Sequence, residues 1–190
     1  MAQMSDLNKK FASEYTSLLK NRDVDHRRVI LTFSGVPGSG KTTLARRLAM
    51  DLRAQYVQHD QIRQMITAEG YEPMDFSIQT ISHLIIDEIM NNDRNKFVIL
   101  DASIDRAWPT FFRHVAEWGI SPIVIRLNVS HTIIKQRLQE RDGVNNVHSE
   151  RLDTFMAQFE NCKAQVTADF ELATDYSYSQ LVQRVTSMTA

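Results

Sequence analysis

An α/β fold, with a parallel sheet covered by helices on both faces, is the class this sequence predicts, and three observations predict it. Short apolar runs alternate with segments whose apolar residues recur at helical spacing. The runs at 29–34 (VILTFS), 97–100 (FVIL) and 123–127 (IVIRL) are nearly continuous in apolar residues, as strands buried on both faces are. The order along the chain reads β-α-β-α-α-β-α-β-α-α-β-α, the alternation that builds parallel sheets. In such a sheet the ligand sits beyond the carboxyl ends of the strands, so the residues that follow each strand are the ones to inspect.

Taken in order, the elements are these. Phe11, Tyr15, Leu18 and Leu19 fall at i, i+4, i+7 and i+8, one face of a helix that either packs on the domain or forms a dimer contact. The strand at 29–34 ends at Gly35, and Leu44, Leu48 and Leu52 stripe the helix after it. Tyr56 and Val57 mark a weaker second strand. Gly70 and Pro73 punctuate a loop, and Ile78, Ile81, Ile85 and Ile89 mark a long helix. Residues 97–100 form a strand closed by Asp101. A helix through Phe111, Phe112 and Val115 ends near Gly119. Pro122 opens the strand at 123–127, and Ser130 caps a helix carrying Ile134 and Leu138. Residues 142–148, with Gly143, Asn145 and Asn146, read as a polar loop. Leu152, Phe155, Met156 and Phe159 form another amphipathic helix. Residues 170–173 are a weak last strand. Ser177 with Gln180 resembles a capping box for a terminal helix that turns Leu181, Val182 and Val185 inward.

Composition narrows the function classes. The 190 residues suit one domain, which we read as 1–190, with a helical extension at 1–27 and a lid region at 141–166. The net charge is −1, so a nucleic-acid role requires a local basic patch. Cys162 is the only cysteine, which excludes an intrachain disulfide and suits a small core residue. No apolar run approaches the ~20 residues of a membrane span. The opening MAQMSDLNKK lacks the apolar segment of a signal peptide, and the expected compartment is the cytoplasm.

The chemistry-bearing motifs follow the strands. Residues 35–43 (GVPGSGKTT) fit G-x-x-x-x-G-K-[ST], the phosphate-binding P-loop. Its glycines let backbone amides turn inward around a phosphate, and the helix that starts there adds the positive end of its dipole. The nucleotide site comprises Gly35, Pro37, Gly38, Ser39, Gly40, Lys41, Thr42 and Thr43, the last chiefly a helix residue. Lys41 can reach the β- and γ-phosphates of ATP, and the Thr42 hydroxyl can ligate Mg²⁺. After the second strand, Asp60 stands where an acceptor hydroxyl would approach the γ-phosphate; it is either a general base or an N-cap. Arg63, three residues on, can neutralise the transferring group or hold an anionic acceptor. His59 reads as structural. Asp101 has the position of a Walker B carboxylate for Mg²⁺, with Ser103, Asp105 and Arg106 as loop or surface residues. Arg137 and Arg141 share a helix face, either as lid cations closing over the phosphates or as a solvated face paired with Glu140 and Asp142. Arg151 is a possible third lid arginine.

Taken together, GVPGSGKTTLARRLA, HDQIR, VILDAS and IIKQRLQERD resemble the small P-loop kinases that include the kinase domain of polynucleotide 5′-hydroxyl kinases. Zeta-type toxins, gluconate kinase and shikimate kinase are more distant relatives. The resemblance covers roughly residues 28–166. It implies strand order 2-3-1-4-5, Asp60 as general base, Arg63 on the phosphoryl group and Arg141 as the lid arginine on the phosphates. It also implies ATP and Mg²⁺ as the working ligands. The acceptor hydroxyl belongs to a small molecule or a nucleic-acid 5′ end, and a nucleotide switch without an acceptor is the competing reading. The expected acceptor pocket lies among residues 60–92, including Tyr71, Phe76 and His83; the adenine pocket is expected at 174–178.

Overall fold

The computed structural model describes residues 2–19, 26–92, 95–143 and 150–189. Five parallel strands lie in the order β2-β3-β1-β4-β5, as the resemblance implied. They are β1 (His26–Ser34), β2 (Gln55–Gln58), β3 (Asn95–Ser103), β4 (Ile123–Leu127) and β5 (Phe170–Leu172). The helices are α1 (Ala2–Leu18), α2 (Lys41–Asp51), α3 (His59–Ala68), α4 (Ile78–Asn92), α5 (Trp108–Ala116), α6 (His131–Asp142), α7 (Leu152–Lys163) and α8 (Tyr178–Thr189). A 3₁₀ turn at Pro73–Asp75 lies in the loop before α4.

Strand periodicity sorts the core into two layers. Leu31 and Phe33 of β1, Phe97 and Ile99 of β3, and Ile123 and Ile125 of β4 face the apolar cluster shared with α2, α6, α7 and α8. Their alternates Ile30, Val98, Leu100 and Val124 face the cluster shared with α1, α3, α4 and α5. Both faces of the sheet are therefore buried, which is why these strands carry few polar residues. Thr32 is an exception; its hydroxyl donates to the Leu100 carbonyl at 3.2 Å.

Several elements differ from the pattern reading. β3 continues past Asp101 to Ser103, because ladder pairing with β1 and β2 holds the polar residues in extended form. Leu18 is 63% exposed; α1 ends there, and Leu19 turns in to the core instead. Phe112 is 44% exposed beside Trp108, while Phe111 and Val115 carry the buried face of α5. Cys162 is half-buried on α7. Ser130 caps α6 as expected, accepting from the Ile133 amide. At α8 the Ser177 hydroxyl meets the Ser179 hydroxyl at 3.2 Å. Asn145 and Asn146, within the expected loop, lie outside the described residues. No helix among the described residues is long and apolar enough to cross a membrane.

Candidate active site

A cleft of about 1410 Å³ opens at the carboxyl ends of the strands, where this fold class places its ligands. The P-loop forms its floor. Gly35, Gly38 and Gly40 have φ of 139°, 81° and 102°, a region open to glycine and closed to most side chains. Gly38 has a second reason to lack a side chain: a Cβ there would stand 2.9 Å from Leu138 Cγ of α6. The loop thus rests directly on α6, the helix that carries Arg137 and Arg141. α2 begins at Lys41, so its opening amides line the cleft, and no acidic residue occupies its first turn.

Lys41 donates to the carbonyls of Gly35 at 2.7 Å and Val36 at 2.8 Å. Enclosure of this ammonium pushes it down to about 8, against the pull of the Asp105, Asp101 and Asp60 carboxylates. The Thr42 hydroxyl donates to Asp101 Oδ1 at 3.2 Å, and the Tyr56 hydroxyl to Asp101 Oδ2 at 2.7 Å. A hydroxyl and one carboxylate side by side at a phosphate loop suit Mg²⁺, which takes few protein ligands and fills its octahedron with phosphate oxygens and water. No group of three or more His, Cys, Asp or Glu fit to hold a metal occurs among the described residues.

Asp105 is a residue that sequence reasoning assigned to a loop and missed. It is 5% exposed and pins the start of the P-loop. Its Oδ1 accepts from Ser34 Oγ at 2.6 Å, its Oδ2 from the Gly35 amide at 2.9 Å, and Ser103 Oγ lies 2.7 Å from Oδ2. Arg126, buried in β4, extends this network. Its Nε lies 3.3 Å from Ser34 Oγ and its Nη1 2.6 Å from Glu171, and it donates to the carbonyls of Lys163 and Val166 at the end of α7. Nothing in the spacing of these residues announces the network. Asp105→Ala is expected to cost about 3 kcal/mol, since it leaves the buried Gly35 amide and the Ser34 hydroxyl without their acceptor, while Ser103 Oγ keeps the Gly35 carbonyl at 3.0 Å. In a chain of this size that lowers Tm by roughly 6–12 °C; a melting curve within 1 °C of the parent would show the contacts to be dispensable.

Asp60 does not cap α3. The cap position belongs to Gln58, and Asp60 lies in the first turn, where its carboxylate is stabilised by the helix dipole. Its side chain is 69% exposed on the cleft wall and meets Arg63 Nη1 at 2.5 Å. His59, next to it, is largely buried and meets Ser82 Oγ at 3.1 Å. Burial, then the nearby Arg63 charge, pushes His59 down to about 4, with Asp60 opposing. Above pH 6.5 the ring is neutral in folded and unfolded chain alike, so it costs nothing there. As pH falls toward 4 the unfolded chain gains a proton that the folded one refuses. The expected loss is about 3 kcal/mol across that window, and His59→Gln should remove it from a denaturation-versus-pH series.

The other arginines divide. Arg137 Nη1 donates to the Ser39 carbonyl at 3.1 Å, so this residue contacts the loop directly. Arg141 lines the same cleft from the last turn of α6. Arg151 lies 5.5 Å over the Phe155 ring, and Phe155 lines the cleft. Arg106, read as a surface charge, lines the cleft, as do Gln79 and Thr110.

Two pockets expected from sequence come out differently. Tyr71, Phe76 and His83 do not line the cleft. Tyr71 and Phe76 pack edge-to-face with Phe11 of α1, and His83 stacks on His114 at 4.1 Å. Their aromatic surfaces are used against other helices, and Ile78 and Gln79 border the cleft in their place. At the other end, Thr174 and Tyr176 do line it, whereas Tyr178 lies under Arg47 and donates to Asp51 at 2.6 Å.

The geometry agrees with what the chain resembles. The family model described as AAA domain matches residues 30–162, more than half of the chain. A cytidylate kinase of Sulfurisphaera tokodaii is 26% identical over 120 residues, which make up 61% of this chain and 64% of that protein. The chain thus spans under two thirds of the length of the curated relatives it matches. The tunicamycin resistance protein of Deinococcus radiodurans superposes with a TM-score of 0.59 at 17% identity, covering 85% of this chain and 95% of that one. A shikimate kinase of Bacteroides thetaiotaomicron does so with a TM-score of 0.54 at 16% identity, covering 84% and 97%. At these identities the solved structures establish the fold alone. A P-loop at the end of β1, a sheet ordered 2-3-1-4-5 and the match across residues 30–162 make this chain a member of the AAA domain family with the fold of the small P-loop kinases.

Proposed function

We propose that this protein is a cytoplasmic, Mg²⁺-dependent kinase that moves the γ-phosphoryl group of ATP to an acceptor hydroxyl, with Asp60 as general base. The observation that carries the reading is the state of Asp60: a solvent-open carboxylate on the cleft wall, with no capping task, held by Arg63 at 2.5 Å. Such a group can accept a hydrogen bond from an incoming hydroxyl and take its proton as the new P–O bond forms. Mg²⁺, held by Thr42 and Asp101, would supply charge neutralisation on the phosphates. The Lys41 ammonium trades its two loop carbonyls for phosphate oxygens, and the α2 amides receive the β-phosphate. Arg137 and Arg141 approach from α6 to balance the charge of the transferring group, while Arg63 fixes Asp60 and faces the acceptor. The acceptor enters between α3, Gln79 of α4 and Arg106; the base of ATP lies toward Thr174 and Tyr176.

A second reading has its own support. The curated relatives are named cytidylate kinases, and Arg63 and Arg106 are among the residues that line the cleft. A nucleoside monophosphate is then the acceptor, and its phosphate needs no base at neutral pH. One assay separates the readings. Label from [γ-³²P]ATP is followed onto shikimate, gluconate, adenosine, a 5′-hydroxyl oligonucleotide and CMP. Acid-stable label on a hydroxyl compound supports the first reading. Label confined to CMP as an acid-labile anhydride replaces it with the second. Free phosphate as the sole product, unaffected by any acceptor, would make the protein a nucleotide switch.

A further inference from the structure

α1 lies outside the stretch that matches the family model; it packs chiefly along α4 and also reaches α3, the helix that carries Asp60. Tyr15 is 1% exposed. Its hydroxyl accepts the Gln58 amide at 2.9 Å and lies 3.0 Å from Gln61 Oε1 and 3.3 Å from the Tyr56 carbonyl. The single phenolic proton has two acceptors in reach, of which Gln61 is the nearer. Gln58 and Gln61 flank His59 and Asp60 on either side, so one hydroxyl ties both ends of the turn that presents the carboxylate. β2 is an edge strand of the sheet, and on its open side the Gln58 amide finds this phenol instead of a neighbouring strand. Burial pushes the Tyr15 hydroxyl up to about 12, so it keeps the proton it donates at any pH at which the protein works.

The far end of α3 is held by the same helix. Lys10 Nζ meets Glu69 at 2.6 Å. Phe11, 1% exposed, packs edge-to-face on Phe76 at 5.4 Å and on Tyr71 at 6.2 Å, and those two rings pack on each other at 5.6 Å. α1 therefore contacts the entry to α3, its exit and the loop beyond it. Ile62 and Ile66 are buried toward the core, while Asp60 and Arg63 point away into the cleft. A rotation of α3 by a few degrees would move the carboxylate without disturbing the P-loop. Misplacement of that order costs a large factor in rate.

We propose that α1 is a positioning element for the acceptor half of the site, with Tyr15 as the positioning residue that sets the aim of Asp60 through Gln58 and Gln61. The inference rests on the reading of Asp60 as the base. Its test uses the full chain, at a temperature well below melting, with [γ-³²P]ATP and two kinds of acceptor: water, and the hydroxyl compounds named above. Tyr15→Phe removes one oxygen atom. It is expected to lower kcat for transfer 5- to 20-fold while leaving the Kd for ATP within twofold. A residue that merely stabilised the fold would lower Tm and leave the turnover of folded enzyme unchanged. The decisive readout is the double mutant: in the Asp60→Asn background, Tyr15→Phe should add less than a twofold effect, because both act through one group. Effects that multiply, or a kcat within twofold of the parent for Tyr15→Phe, would overturn the proposal. Gln61→Leu, which removes the partner from the other side, is held to the same expectations should Tyr15→Phe fold poorly. Asp60→Asn with undiminished transfer overturns the base assignment and this inference together. Impaired Asp60→Asn with normal Tyr15→Phe overturns the inference alone.

Discussion

Lys41→Ala is expected to abolish phosphoryl transfer, with a loss of ~10³ or more, because it removes the cation enclosed by the phosphate loop at the point where transition-state charge accumulates. Folding should survive: an enclosed ammonium is costly to desolvate, and its loss exchanges two hydrogen bonds for relief of that cost. ATP affinity should fall as well, by isothermal titration. The same residue predicts a pH signature in the parent. With Lys41 held at about 8 in the free protein, it is charged below that pH and neutral above it. ATP favours the charged form, so binding above pH 8 must draw a proton from solution, and affinity should decline with rising pH, by up to tenfold per unit. Calorimetry in buffers of different ionisation enthalpy measures the uptake directly. Turnover of Lys41→Ala within a factor of two of the parent would remove the P-loop from the mechanism.

The second large effect concerns Asp60. Asp60→Asn is expected to cut transfer to a hydroxyl by ~10²–10⁴, the usual range for loss of a general base, with ATP affinity unchanged. Stability should hardly move. The position is not the helix cap, its ion pair with Arg63 is exposed on both sides, and an exposed pair is worth ~1 kcal/mol or less. The substitution also separates the two acceptor classes. A nucleoside monophosphate offers an ionised oxygen and requires no base, so transfer to CMP would survive Asp60→Asn nearly intact. Full activity toward hydroxyl acceptors would leave Asp60 without a chemical role.

The parts of the molecule legible in the sequence are those set by local rules. β1, β3 and β4 announce themselves by unbroken apolar runs, the P-loop by its glycine spacing, and the start of α6 by Ser130, because each depends on residues near in the chain. The parts that were not legible depend on partners far along the chain. Asp105 is one aspartate among many until the structure sets it against Ser34 and Gly35. Tyr71 and Phe76 look like pocket residues until α1 is seen to occupy their faces. Asp60 sat between base and cap in the sequence, because Asp favours both; two residues of helix register remove the capping role. Arg137 and Arg141 lie on one face, and only the packing of Gly38 on Leu138 brings the first of them to the loop carbonyl.

The strand order has a consequence for how the chain assembles during synthesis. β1 and β2 emerge first, yet they never touch each other, because β3 lies between them. Ile30 waits for Val98, and Leu31 for Ile123. A nascent chain halted before Asn95 therefore holds two strands and no ladder at all: α1, α3 and α4 can pack on one another, but the sheet that completes their core and covers α2 is missing. Sheet formation starts only when β3 leaves the ribosome, and it then joins both earlier strands at once. Such distant pairings make folding slow and the unfinished chain prone to aggregation. Arrest of translation upstream of residue 95 should yield a protease-sensitive chain, and arrest with β4 exposed a resistant one.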